Sequence, residues 1–232
     1  MKDTEDKNIQ QIDIPLSIDI PSVIRYLRFH GDSNRLNEIV HELADKVKAI
    51  ARPKAVYMTS RVRCIDRDFV EIDGIRFTSR ILNKKLCELE TVYPFIATIG
   101  KELDEFKVPH SDMWQAYCLD AIKTMALVSS AEYLTNHIKE KYKLPGVALL
   151  NPGELEDFPL EQQIPLFKLF GGGEKNIGVS VTKGGAMRPL KSRSGILFVD
   201  GTGFVSCLLC TQEKCTGRKA TYSPEMVEIY LS

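Results

Sequence analysis

The chain has no excess of either charge: across 232 residues, 31 Lys and Arg balance 31 Asp and Glu. A duplex-binding surface normally carries a basic excess, so nucleic acid is not an expected partner. No apolar run approaches the roughly 20 residues that cross a bilayer. The opening Met-Lys-Asp-Thr-Glu-Asp-Lys is charged with no apolar stretch behind it, so neither a membrane anchor nor a signal peptide is expected. A cytoplasmic protein is the default reading, and there the six cysteines are expected as thiols or metal ligands rather than disulfides. Histidine is scarce: His30, His41, His110 and His137 are scattered, and none stands at a metal-pair spacing. Phosphate-loop signatures are missing too. Gly171-Gly172-Gly173-Glu174-Lys175 lacks the required spacing and the following Ser or Thr, and reads instead as a helix stop and turn. No nucleophile elbow or Cys-His pairing stands out, so no catalytic residue is assigned.

What is present is ordinary globular composition, 44% hydrophobic and 27% charged, with a regular succession of elements. Residues 1–11 are polar. Ile12, Ile14, Leu16, Ile18 and Ile20 alternate with a strand's period. Pro21 opens a helix that Gly31 closes, and a second helix after Ser33 carries Leu36, Ile39, Val40, Leu43, Val47 and Ile50 on one face until Pro53. Val56, Met58, Val62 and Cys64 predict a strand. Asp73-Gly74 predicts a tight hairpin between Phe69–Ile72 and the strand that begins at Ile75. A short helix near 81–86 and a strand over 92–99, interrupted by Pro94, follow. The longest element is a helix over 111–143, whose apolar face is marked by Trp114, Cys118, Ile122, Met125 and Ile138. A strand is expected over Val147–Leu150, then a helix from Pro159 that Pro165 interrupts and Gly171 ends. Residues 177–181, 196–199 and 204–208 read as strands, with Asp200-Gly201 turning the last two into a hairpin. Pro224 opens a final helix. Mixed hairpins and helices predict an α+β fold with a mainly antiparallel sheet flanked by helices. A tail and strand over 1–17 precede a single domain over 18–232.

Two constellations carry chemistry. Residues 151–195 are punctuated by proline and glycine, yet apolar residues keep returning, so the run reads as ordered loops on a scaffold, where ligand sites usually sit. Within it, Glu154, Glu156 and Asp157 form an acidic loop that serves either as a solvated turn and helix cap or as a seat for a cation. Further on, Cys207, Cys210 and Cys215 are spaced C-x2-C-x4-C, which allows three thiolates to face one zinc ion or iron–sulfur cluster. Nearby Lys214, Arg218 and Lys219 favour thiolates. The fourth ligand is open among Cys64, Cys87, Cys118, a histidine and an exogenous group. Redox-active thiols and buried inert cysteines are the alternatives.

Several segments together carry a resemblance. They are the run from Ser22 to Gly31, Ala97-Thr98-Ile99-Gly100-Lys101-Glu102-Leu103-Asp104, Asp120-Ala121, and Ala131-Glu132-Tyr133-Leu134. To these the loops add Pro152, Gly153, Ile177, Gly178, Thr182, Met187, Pro189, Ser192, Ser194 and Gly195. This set resembles the activation domain of vitamin B12-dependent methionine synthase, in a compact stand-alone form, over most of the chain from Pro21. The resemblance implies an α+β domain that binds S-adenosylmethionine, docks over a corrinoid and supports the reductive methylation that rescues cobalt from the Co(II) state. It also implies a cofactor site at Pro152, Gly153, Glu154, Thr182, Met187, Pro189, Ser192, Ser194 and Gly195. Two positions depart from the pattern: Leu149 stands where the family places an arginine for the ligand carboxylate, and Glu154 where a tyrosine usually follows Pro-Gly. The Asp-x-His-x-x-Gly segment that supplies a lower cobalt ligand in many corrinoid carriers is missing, so the chain reads as a carrier's partner.

The expectation is therefore an activator or accessory protein for a corrinoid-binding protein or methyltransferase. S-adenosylmethionine would be its ligand, cobalamin would be carried by the partner, and a reductant protein would be a further partner. Loops 151–158 and 182–195 would form the cleft, with Cys207, Cys210 and Cys215 holding a metal or cluster beside it. The rival reading is a noncatalytic cysteine-rich metal- or Fe–S-binding interaction module that has lost S-adenosylmethionine. A methyltransferase using another methyl donor is the third.

Overall fold

The computed structural model describes residues 8–28, 33–109 and 111–231. Gly31, His30 and His110 lie outside the described residues. The first strand, β1 (Gln10–Asp13), is shorter than the alternation of isoleucines predicts. The Ile14 amide still donates to the Pro53 carbonyl at 2.9 Å, but Pro15 has no amide proton with which to extend the ladder. Helix α1 (Ile20–Leu27) begins where the Asp19 carboxylate accepts the Ser22 amide proton at 3.0 Å, with Pro21 in its first turn. Helix α2 (Ser33–Ile50) buries Leu36, Val40, Leu43 and Val47, as its periodicity predicts.

The strand expected through Val56 and Cys64 is two strands, β2 (Lys54–Tyr57) and β3 (Ser60–Asp66). The Asp73-Gly74 hairpin joins β4 (Phe69–Ile72) to β5 (Ile75–Thr78), and both turn residues take positive φ, 43° and 75°. Then come α3 (Arg80–Leu86), β6 (Thr91–Thr98), α4 (Glu102–Glu105) and the long helix α5 (Met113–Lys141). With 29 residues, α5 is about 44 Å long at 1.5 Å per residue. Strand β7 (Val147–Leu150) leads to a 3-10 turn, Leu160–Gln162, and α6 (Gln163–Phe170), closed by Gly171. Pro165 sits in the first turn of α6, where its missing amide costs nothing. The chain ends with the short strands β8 (Ser180–Val181) and β9 (Met187–Arg188), then β10 (Ser192–Val199) and α7 (Pro224–Leu231).

Eight strands form one sheet in which every pairing is antiparallel, in the order β1-β2-β6-β3-β4-β5, with β10 added to β6 and β7 to β10. The fold is thus α+β, an antiparallel sheet flanked by helices that include one long one. Pro94 does not interrupt β6. Its carbonyl accepts the Met58 amide at 3.1 Å, so its nitrogen faces the gap where the neighbouring chain passes from β2 to β3 and no ladder bond is lost. One sheet face carries Val56, Ile96, Leu150, Ile196 and Phe198 and packs with Ile81, Leu82, Leu86, Leu166, Leu169 and Phe170 of α3 and α6. The other carries Ala55, Tyr57, Tyr93, Phe95, Ala97 and Leu197 and packs with Leu134 and Ile138 of α5. The first half of α5 forms a further core with α1 and α2, where Ala121 and Ala126 let the helices approach. Among the described residues no helix is long and apolar enough to cross a membrane.

Two expectations near α3 are corrected. Residues 204–208 are not a strand: Ser206–Leu208 form a 3-10 turn, and Asp200-Gly201 is not a hairpin. Instead the Asp200 carboxylate accepts the Thr202 and Phe204 amide protons at 2.9 and 3.1 Å and pairs with Lys85 at 3.0 Å, which bends the chain away from the sheet. Nor are all six cysteines thiols. Cys64 on β3 and Cys87 at the end of α3 form a disulfide, with α-carbons 5.5 Å apart. The β4–β5 hairpin brings these residues together, a tertiary effect that the redox compartment says nothing about.

Candidate functional site

β10 lies between β6 and β7, so its alternating side chains project from opposite sheet faces. Leu197, Gly195 and Arg193 lie opposite Tyr93, Phe95 and Ala97, on the face that carries α5. Ser192 and Ser194 belong to the other face and are buried. The Ser194 hydroxyl donates to Gln163 Oε1 of α6. The Ser192 hydroxyl donates to the Pro189 carbonyl at 2.8 Å and lies 3.0 Å from Thr98 Oγ1. Both serines therefore brace loop and strand from within.

On the α5 face the loop after β7 meets β10. Gly195 is required there, because a Cβ would fall 2.4 Å from Asn151 Oδ1 and 2.8 Å from the Leu150 carbonyl oxygen. Asn151 is buried, at 5% exposure, and its Oδ1 has no hydrogen-bond partner. Its Nδ2 donates to Glu154 Oε1 at 2.5 Å. The same carboxylate oxygen accepts Arg193 Nη2 at 2.9 Å, and Oε2 accepts the Ser206 hydroxyl at 3.1 Å. Glu154 thus ties together the Pro152-Gly153 loop, β10 and the start of the cysteine segment. The Arg193 and Glu154 side chains remain 31% and 33% exposed. Leu149 shares this face, and its Cδ1 lies 2.9 Å from the position of a Cβ on Gly195.

The two predicted loops adjoin. Leu160 lies against both Gly153 and Gly185, where Cβ atoms would stand 3.2 Å from its Cδ1 and 2.7 Å from its carbonyl oxygen. Asp157 of the first loop binds α3, accepting the Ser79 hydroxyl at 2.7 Å, the Ile81 amide at 3.0 Å and Arg80 Nε at 3.3 Å. It acts as the helix cap that the acidic loop allowed. In the second loop Thr182 is exposed and closes a tight turn by accepting the Ala186 amide on its hydroxyl at 3.1 Å. Met187 is half-buried against the α6-side core, and Pro189 is buried. Lys191 anchors the start of β10 to α5 through Asp120 at 2.8 Å and Thr124 Oγ1 at 2.7 Å.

The cysteine segment follows directly. Arg218 gathers it: its guanidinium donates to the carbonyls of Cys207, Ala220, Cys210 and Gln212 at 2.8–3.1 Å. The Lys219 amide contacts Cys207 Sγ at 3.4 Å, and its ammonium lies 3.9 Å from Glu132 on α5. The segment thus spans from Glu154 to the long helix. Yet among the described residues no group of three or more His, Cys, Asp or Glu side chains is arranged to hold a metal ion. The cysteine candidates for a fourth ligand are also engaged. Cys64 and Cys87 are bonded to each other, and Cys118 is buried in α5, where burial and then nearby Asp112 push its thiol up to about 11. His137 meets the Tyr57 hydroxyl at 3.0 Å.

Arg193, Asn151 and Ser206, which gather around Glu154, were not among the candidate residues that the sequence singled out. No family model and no curated protein matches the chain. Among solved structures, the crystal structure of the MetH reactivation domain bound to AdoHcy is similar, with a TM-score of 0.59 and 16% identity over 88% of this chain and 82% of that one. The likeness is one of fold, and the protein has the fold of the MetH reactivation domain.

Proposed function

We propose that the protein is an activator or accessory protein for a cytoplasmic corrinoid-carrying partner, supporting reductive methylation of its cobalamin with S-adenosylmethionine. The observation that carries this reading is the seating of the Pro152-Gly153-Glu154 loop against Arg193 and Gly195 of β10, on a fold that elsewhere binds AdoHcy. The residues present suit such a ligand. Arg193 offers a guanidinium to a carboxylate, and Glu154 offers an anion to a cationic group. S-adenosylmethionine, when bound, supplies a methyl group. The chain's own part is to bind and orient that ligand, while the partner contributes the corrinoid and a reductant protein the electron. The cysteine set does not fit a metal centre as arranged, so no step is assigned to one.

The test mixes the protein anaerobically with a Co(II) corrinoid protein, a one-electron reductant and S-adenosylmethionine. Conversion of the Co(II) spectrum to that of methyl-Co(III), dependent on all components, is the expected result. A spectrum unchanged by the protein would refute the activator role. A second reading, a binding module without chemistry, draws on the three-way engagement of Glu154. It predicts complex formation with the corrinoid protein and no change at cobalt.

A further inference from the structure

Arg193 and Glu154 form an unusual pair for a structural contact. Glu154 is anchored twice besides, by Asn151 Nδ2 at 2.5 Å and by the Ser206 hydroxyl at 3.1 Å. Arg193 is held by Glu154 alone, through Nη2, so Nε and Nη1 have no protein partner among the described residues. Both side chains are about one-third exposed, at 31% and 33%. An exposed pair of this kind adds little to stability, whereas a guanidinium with one edge open matches a carboxylate's two oxygens. The anchored Glu154 stays in place if Arg193 swings away. Beside the pair, Gly195 lets Asn151 pack against β10, and the buried Asn151 Oδ1 lacks a partner.

We infer that Arg193 and Glu154 are a clamp for the zwitterionic head of an amino-acid-bearing ligand, Arg193 taking the α-carboxylate and Glu154 the α-ammonium. This rests on the proposed ligand class and adds the residues that recognise it. The cation at this site comes from β10, across Gly195 from Leu149, whose position on β7 carries none. The ion pair is the resting form: each partner satisfies the other until the ligand's two charges replace them. Selectivity follows from the pairing. A ligand with only a carboxylate leaves Glu154 facing uncompensated charge, and one with neither group gains nothing from the clamp.

Calorimetric titration of the full chain tests this with two probes, S-adenosylhomocysteine and 5′-methylthioadenosine, which shares the nucleoside and thioether but lacks the amino-acid head. The wild type should prefer S-adenosylhomocysteine by roughly 10–100-fold, the value of charge-assisted hydrogen bonds at a half-exposed site. Arg193→Leu and Glu154→Gln should each erase most of that preference and leave methylthioadenosine binding unchanged, and Arg193→Lys should restore part of it. Unchanged methylthioadenosine affinity in the variants also establishes that they are folded. Equal affinity of the wild type for both probes, binding of neither, or an undiminished preference in Arg193→Leu would overturn the clamp. The activator reading is judged separately, by the cobalt spectrum. Reactivation by an Arg193→Leu protein with unchanged dependence on S-adenosylmethionine concentration would sink the clamp and leave that reading intact.

Discussion

Two ion pairs in this molecule have nearly the same length and opposite surroundings. Lys85 meets Asp200 at 3.0 Å with both side chains 7% exposed, and Arg193 meets Glu154 at 2.9 Å with the two 31% and 33% exposed. In the first pair, Lys85 also lies over the rings of Phe204 and Tyr230 at 4.2 and 4.6 Å, and Asp200 accepts two backbone amides and the Thr202 hydroxyl. In the second, the guanidinium keeps an edge toward solvent. Distance alone does not describe an ion pair; what separates these two is how much of each charge the protein itself satisfies. The first pair locks α3 to the segment after β10 and to α7, helped by Arg80 and Lys84, which donate to the Leu231 and Ile229 carbonyls at 2.6 and 2.5 Å. The second joins β10 to the loop after β7 at the surface, where the clamp inferred above would let a ligand part them.

The comparison predicts a graded response. Lys85→Met leaves Asp200 charged and buried without its partner, so chemical denaturation should show a loss of about 3–5 kcal/mol; a loss under about 1 kcal/mol would put both pairs in the same class. Acid should then find the buried pair. Burial raises the Asp200 carboxyl, but the Phe204 amide, Lys85 and the Thr202 hydroxyl outweigh it and hold the group at about 2. A depressed carboxyl contributes stability that is present above its unfolded value of roughly 3.9 and disappears as pH falls through its folded value. The wild type should therefore lose about 2 kcal/mol of stability over that interval. Asp200→Asn should be weaker at neutral pH and flatter in acid, and parallel curves for the two would remove Asp200 from the account. Smallest of all, Arg193→Leu should alter unfolding stability by less than about 1 kcal/mol, since Glu154 keeps Asn151 and Ser206. A larger loss would make the exposed pair a joint as well.

Local pattern accounts for much of the fold. The step of three and four through Leu36, Val40, Leu43 and Val47 is what α2 buries, and Asp73-Gly74 turns as its residue types demand. The same dipeptide type at Asp200-Gly201 does not make a hairpin, because its carboxylate is taken by Lys85, a residue 115 positions away. Cys64 and Cys87 are equally silent in sequence, since only the intervening hairpin brings them together. At the candidate site, the two loops adjoin through Leu160, as the sequence led one to expect. Alternation along a strand fixes which residues share a face, but not which neighbours that face meets. The serines, expected as ligand contacts, bond within the fold to Gln163 of α6 and to the Pro189 carbonyl, and Arg193 between them turns to the loop.

Arg218 carries a practical consequence. Its guanidinium fills a ring of four carbonyls in the cysteine segment, and arginine keeps its charge at any pH a protein survives. The donor that gathers the segment therefore stays charged from acid to alkali, so the segment's course should not shift with pH across the working range.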